Sequence, residues 1–247
     1  MKIALLGYGK MGKMIEKFAL DNQHEIVLKI DESNLMELTE NNLKKADVAI
    51  EFSTPKAVLN NIALCLKAQV PIVIGTTGWY NQLENIQQQC REYNGTIIYG
   101  SNFSIGVNLF FGFNSYLAKV MGKYGTDYDV IVEEIHHTQK LDSPSGTAIT
   151  IAEDLIKALP YKQSWKNTVQ HHHANTIPNT TDEIPILSYR EGEVPGTHIV
   201  RYQSTIDEIE LKHTAKNREG FAKGAVIAAE WIKDKKGFYS VKDMFTF

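Results

Sequence analysis

Glu134-Ile135-His136-His137-Thr138-Gln139-Lys140-Leu141-Asp142-Ser143-Pro144-Ser145-Gly146-Thr147-Ala148 sets two imidazoles, an ammonium group and carboxylates beside the expected start of a helix. Imidazole titrates near neutral pH and serves as acid or base, and lysine offers a proton or a fixed positive charge. Val130, Ile131, Val132 and Ile135 lead in as a strand, and a helix is expected from Ser145 to about Leu159. The polar segment is then the turn between them. The N–H groups of Gly146 and Thr147 fall in the first helical turn, where they have no intrahelical partner and the macrodipole favours an anion. Gly146 lets a ligand approach the backbone, and Lys140 adds a full positive charge. An anionic substrate facing acid/base groups is the chemistry these residues suit. In the plainer alternative Ser145 is only an N-cap, Pro144 a stop before the helix, and the histidines partly buried strand residues.

The second constellation lies at the start of the chain. Lys2 to Leu6 reads as a short buried strand and runs directly into Gly7-Tyr8-Gly9-Lys10-Met11-Gly12, a complete G-x-G-x-x-G. Lys13 to Leu20 continues as a helix, with Met14, Ile15, Phe18 and Ala19 at helical spacing, and Glu25 to Ile30 is a second strand ending at Asp31. In this β-α-β unit Gly7 permits the tight turn, Gly9 the approach of a pyrophosphate and Gly12 close helix packing. Asp31, about 20 residues on, is placed for a ribose hydroxyl. Dinucleotide binding follows, with a nucleotide-free relic of the fold as the alternative. Glu32 after Asp31 offers no guanidinium to a 2'-phosphate and leans towards NADH. Lys10 could reach that phosphate, so use of both NADH and NADPH is expected.

The alternation continues. Asp47 to Phe52 is a strand, Thr54 caps a helix with Pro55 at its first position, and Val70 to Ile74 and Thr96 to Tyr99 are further strands. Their carboxyl ends deliver Gly75-Thr76-Thr77-Gly78 and Gly100-Ser101-Asn102-Phe103, where open α/β sheets bind ligands, although the same residue types dominate ordinary turns. The fold class is α/β, a Rossmann-type doubly wound parallel sheet.

Beyond Asn102 the pattern changes: a Phe-rich helix near Asn108 to Met121, a strand from Asp129, then the loop and helix described above. Ile184 to Ser188, His198 to Ser204 and Glu208 to His213 read as strands of a mixed or antiparallel sheet. This is an inserted α+β substrate domain. Tyr161 to Thr181 lacks periodicity, and His171-His172-His173, without acidic or thiol companions, reads as a solvated or strand-edge run, so no metal is expected. A helix near Phe221 to Ile232 packs back on the first domain. The boundaries drawn are 1–104 plus 217–247 for the dinucleotide domain and 105–216 for the substrate domain.

The 247 residues, 43% of them apolar, suffice for one large domain or two smaller ones. A net charge of -3 with interspersed signs argues against nucleic acid and membrane surfaces as partners and for a small molecule. The apolar run before Gly7 is too short for a signal-peptide core, and Cys65 and Cys90 lie apart in helical patterns as packing residues; a soluble cytoplasmic protein is expected.

Together these segments resemble one family, the 4-hydroxy-tetrahydrodipicolinate (dihydrodipicolinate) reductases of diaminopimelate and lysine biosynthesis. The resemblance spans nearly the whole chain. It rests on the glycine start, Gly75 to Gly78, Asn102-Phe103-Ser104-Ile105-Gly106-Val107-Asn108, and above all E-x-H-H-x-x-K-x-D-x-P-S-G-T-A at Glu134 to Ala148. Ser188-Tyr189-Arg190-Glu191-Gly192, Gly196-Thr197-His198 and the stretch Gly220 to Trp231 add to it. The resemblance implies His136 and Lys140 as the acid/base pair, and His137, Lys140, Ser145, Gly146 and Thr147 as contacts to a dicarboxylate substrate. It also implies that Gly7, Tyr8, Gly9, Lys10, Met11, Gly12, Asp31, Gly75, Thr76, Thr77, Gly100, Ser101, Asn102 and Phe103 line NADH or NADPH, in a homotetramer. Lys10 stands where the family often has arginine, in a glycine loop one residue shorter, and Ser143 and Gly100 stand where alanine is usual. Strand alternation would send His136 and His137 to opposite faces, so pairing is expected to stop near Ile135. The alternatives are another amino-acid dehydrogenase, of aspartate or homoserine type, and a dinucleotide sensor without turnover.

Overall fold

The computed structural model describes residues 1–125, 127–170, 182–217 and 219–245. The expected histidine run His171-His172-His173 lies outside them. The chain divides into two compact units, Met1–Asn108 with Glu219–Phe247, and Leu109–Arg218. The first unit begins with β1 (Lys2–Leu6), α1 (Lys10–Asp21), β2 (Glu25–Ile30), α2 (Glu40–Leu43) and β3 (Val48–Glu51). It continues through α3 (Val58–Ala68), β4 (Ile72–Ile74), α4 (Leu83–Glu92) and β5 (Thr96–Tyr99), and α5 (Ile105–Met121) carries the chain into the second unit. There follow β6 (Asp129–His136), α6 (Gly146–Ala158), β7 (Ser164–Gln170), β8 (Glu183–Arg190), β9 (Thr197–Gln203) and β10 (Glu208–Thr214). The chain then returns to the first unit with α7 (Glu219–Ile232) and β11 (Gly237–Ser240).

The first unit holds a six-stranded sheet in the order β11-β5-β4-β3-β1-β2, parallel throughout. Strand alternation sorts its side chains to two cores. Ile3 and Leu5 pack with Ile15 and Ala19 of α1 and Ala222, Ala225 and Ala229 of α7, while Ala4 and Leu6 pack with Val58, Ile62 and Leu66 of α3. Helices thus cover both faces, as the doubly wound reading requires. Burial of Cys65 and Cys90 raises both thiol pKa values, and the two are packing groups.

Two local expectations need correction. Thr54 does not cap α3 through its side chain: its carbonyl accepts Ala57 N–H and Val58 N–H, closing a separate turn, and the helix begins at Val58. Pro55 therefore lies in that turn and not at the first helical position. Strands β7 and β11 were not anticipated. Each lies at a sheet edge among the described residues, where the apolar signal is weak.

The second unit holds a mixed sheet ordered β10-β9-β6-β8-β7. β6 pairs antiparallel with β9 and parallel with β8. Register places Ser188, Glu134, His198 and His213 in one row across β8, β6, β9 and β10. That row underlies the site.

Helix α7 approaches the loop after β5 so closely that a Cβ on Gly224 would stand 1.7 Å from the Phe103 carbonyl oxygen. Both partners are backbone, so no rotamer change relieves the contact. Gly224→Ala is expected to cost at least the ~1–3 kcal/mol typical of overpacking, read as a lower denaturant midpoint; an unchanged midpoint would contradict this packing.

Candidate active site

In the second unit β6 ends by presenting Glu134 and His136 on one face, two residues apart. Pairing with β9 stops at Ile135, but pairing with β8 continues through His136, opposite Arg190. Pairing thus ends near Ile135, as expected, and His137 lies beyond it. His136 is held inside while His137, the first residue past the strand, is half-buried in the turn.

Glu134 is fully buried, and its carboxylate is ringed by donors. Oε1 accepts from Ser188 Oγ at 2.8 Å and Arg190 Nη2 at 3.2 Å; Oε2 accepts from Ser145 N–H at 3.1 Å. His136 Nδ1 lies 3.1 Å from Oε2, an ion-pair distance without the alignment of a full hydrogen bond. Burial pushes this carboxyl pKa up, but the contacts from His136, Ser145 and Ser188 outweigh burial and hold it well below the usual carboxylate range. The Arg190 guanidinium also reaches the Lys140 carbonyl at 3.3 Å and the Asp142 carbonyl at 2.8 Å, so one side chain ties the loop to the buried acid.

Ser145 caps α6: its Oγ accepts Ala148 N–H at 3.2 Å and lies 3.1 Å from His198 Nε2. The Ser145 hydroxyl can either give its proton to His198 Nε2 or accept one from it, according to the ring tautomer. Ser145 is buried and committed to these partners. Gly146 and Thr147 follow it in the first turn of α6, where no acceptor among the described residues takes their N–H groups, and a Cβ on Gly146 would meet nothing within 4 Å. The Lys140 ammonium is paired with Asp142 at 2.7 and 2.8 Å, and this contact leads the causes that lower the Asp142 pKa.

Glu134, His136 and His198 bring three potential metal-ligand atoms within 4.8 Å of one another. The donor set does not suit a cation: both Glu134 oxygens already accept from N–H or O–H groups, and one of those is the Arg190 cation. The His136 and His198 rings instead meet edge to face at 5.1 Å.

In the first unit the glycine loop has the expected form. A Cβ on Gly7, whose φ is +99°, would stand 2.2 Å from the Phe52 carbonyl oxygen; one on Gly12 would stand 2.3 Å from the Gly7 oxygen, and one on Gly9 would meet nothing. Gly9 caps α1 without a side chain, leaving the first-turn N–H groups to an anion. These features fit a dinucleotide pyrophosphate. Asp31 Oδ1 accepts from Ser33 N–H and Oγ, which hold its pKa down, and among the described residues Oδ2 is left for a further donor. Tyr8 turns its hydroxyl back to Glu16, with the Lys29 ammonium 5.1 Å from its ring centre. Lys10, Thr77 and Ser101 are exposed and Met11 is half-buried. Thr76 bridges two loops by accepting Ser53 N–H at 2.9 Å, while Gly75 packs against Phe52 and Gly100 against Val241. Asn102 is occupied in its own turn and Phe103 lies in the core.

Family models for the N-terminus and C-terminus of dihydrodipicolinate reductase match residues 1–103 and 106–245. The chain belongs to the dihydrodipicolinate reductase family. Over 246 residues it is 48% identical to the 4-hydroxy-tetrahydrodipicolinate reductase of Christiangramia forsetii, covering 100% of this chain and 98% of that one. It is 37% identical to the enzyme of that name from Methanopyrus kandleri over 81% of this chain and 72% of that one. Its structure resembles a dipicolinate-bound dihydrodipicolinate reductase from Paenisporosarcina sp. TG-14, with TM-score 0.80, 26% identity and 99% of each chain covered. The family is one of NADH- or NADPH-dependent oxidoreductases of lysine and diaminopimelate biosynthesis.

Sequence reasoning named the segments that hold Ser188, Arg190 and His198 as part of the family resemblance but gave these residues no role in the site. Only strand register brings them to Glu134. Burial and the neighbouring His136 lower the His198 pKa to about 3. An unfolded histidine titrates near 6.5, so below about pH 6.5 the unfolded chain takes up the proton first and stability falls by about 1.4 kcal/mol per pH unit. Glu134, whose folded pKa is depressed, adds a loss in the same direction once the pH drops below about 4.3. His198→Asn is therefore expected to flatten the dependence of the urea midpoint between about pH 6.5 and 4.5; an unaltered slope would contradict a buried neutral His198.

Proposed function

We propose that this chain reduces 4-hydroxy-tetrahydrodipicolinate, with NADH or NADPH, to tetrahydrodipicolinate. The balance is substrate, NAD(P)H and one proton giving product, NAD(P)⁺ and water. The observation that carries this reading is that Lys140 and the first-turn residues Gly146 and Thr147 of α6 fall on the one short loop that follows His136, in a chain of this family. One substrate carboxylate takes the place of Asp142 beside Lys140 and is completed by the α6 N-terminus. His137, outside the strand, is a second contact. NADH or NADPH, when bound, would supply the hydride for ring carbon 4; His136 or Lys140 supplies the proton that leaves with the hydroxyl as water.

The first unit serves as the dinucleotide domain and the second as the substrate and oligomerisation domain. With one Asp31 oxygen left for a ribose hydroxyl and its negative charge opposed to a 2'-phosphate, NADH is the better coenzyme. No helix among the described residues is long and apolar enough to cross a membrane. A cytoplasmic enzyme fits this and its nicotinamide chemistry. A homotetramer joined through the second sheet accords with exposed Ile206 and Ile209 at its β10 edge, and light scattering at four chain masses would test it.

The test follows absorbance of the reduced coenzyme with substrate generated in place from pyruvate and aspartate semialdehyde. Substrate-dependent oxidation is expected, faster with NADH, and Lys140→Ala is expected to lose at least about a hundredfold in turnover. Coenzyme binding without oxidation would overturn the reading, and near-wild-type turnover in Lys140→Ala would remove that lysine's role.

A further inference from the structure

We propose that Glu134 is a positioning residue for this reduction: it fixes the proton of neutral His136 on Nδ1, so that Nε2 is the nitrogen that hands the proton to the substrate. The inference rests on the reading of His136 as an acid of the reaction. Arg190 Nη2, Ser188 Oγ and Ser145 N–H all donate to Glu134, and an ionised carboxylate is acceptor only. His136 Nδ1 lies 3.1 Å from Oε2, close though not aligned as a full hydrogen bond, and two acceptor lone pairs set that near would repel, so Nδ1 is the nitrogen that carries the proton. Nδ1 is shut off from solvent.

The surroundings hold Nε2 in place. A Cβ on Gly196 would stand 3.0 Å from it, so this glycine leaves room for the ring, and His198 meets the ring edge to face. Proton transfer then has a defined course. The imidazolium gives up the Nε2 proton as the substrate C–O bond breaks to release water, and the neutral ring that remains carries its proton on Nδ1, against the carboxylate. Solvent restores the Nε2 proton. Arg190 gives Glu134 a second task, because the same guanidinium holds the carbonyls of Lys140 and Asp142.

Glu134→Gln separates positioning from bulk. With its carbonyl oxygen towards Arg190 and Ser188, the glutamine would turn an N–H₂ group to His136 Nδ1, losing the Ser145 N–H contact, and Nδ1 then becomes the acceptor and the ring proton moves to Nε2. ¹⁵N spectra of the imidazoles, recorded above their titration range and assigned through His136→Gln, read this directly. The expected result is Nδ1–H for His136 in the wild type and Nε2–H in Glu134→Gln. Turnover should fall about a hundredfold or more, with a smaller change in KM, and Glu134→Asp should recover part of it. An Nε2–H tautomer in the wild type overturns the proposal, even if Glu134→Gln does not fold. So does a folded Glu134→Gln with its tautomer unchanged, or with a raised KM and wild-type kcat. A wild type that shows Nδ1–H but does not oxidise coenzyme with the substrate refutes the proposed function instead, and with it the reaction Glu134 would serve.

Discussion

A carboxylate removed from water must recover the lost hydration from protein donors or be neutralised. Glu134 meets this constraint with donors from the start of α6 and from strand β8, and with the His136 ring close by at the end of its own strand. Each of these groups is itself part of the site. Ser145 N–H sets where α6 begins and thus where the N–H groups of Gly146 and Thr147 face. Arg190 sets the path of the loop through the Lys140 and Asp142 carbonyls, and His136 is the candidate acid. One buried charge so fixes the relative positions of the anion site and the acid.

The first unit repeats this logic with less charge at stake. Glu51, buried at the end of β3, accepts from Asn61 Nδ2 at 3.2 Å and Ser53 N–H at 3.1 Å, and Ser53 N–H also reaches Thr76. Burial raises its pKa. A polar node under the strand ends thereby joins the loops after β3 and β4, while glycines 7 and 12 bring backbone to backbone where a methyl group would collide. The loops expected to line the coenzyme are held from below, leaving their exposed residues to meet it.

Much of this was legible in the sequence, for physical reasons that differ by segment. The β1-α1-β2 unit is written locally: a buried strand, three glycines with separate steric tasks and an acid at the next strand end all fall within one short stretch. The 134–148 loop is legible because so many titratable groups rarely gather between a strand and a helix cap without use. The supports were hidden. Ser188, Arg190 and His198 are ordinary strand residues until register sets Ser188 and His198 beside Glu134 and Arg190 opposite His136. Thr54, Thr76 and Phe103 show the opposite limit, since residue type alone does not say whether a hydroxyl caps a helix, whether a threonine faces a ligand or braces a neighbouring loop, or whether an aromatic ring lines a pocket or fills the core.

The central claim is that a dicarboxylate is held at Lys140 and the first turn of α6, over the frame that Glu134 builds. Amide ¹H–¹⁵N spectra of the wild-type protein during titration with dipicolinate, a planar relative of the substrate, test it most directly. The account predicts that the Gly146 and Thr147 amide resonances move furthest and saturate together, and that Lys140→Ala weakens the titration. Saturable binding that leaves those two amides unmoved would contradict it.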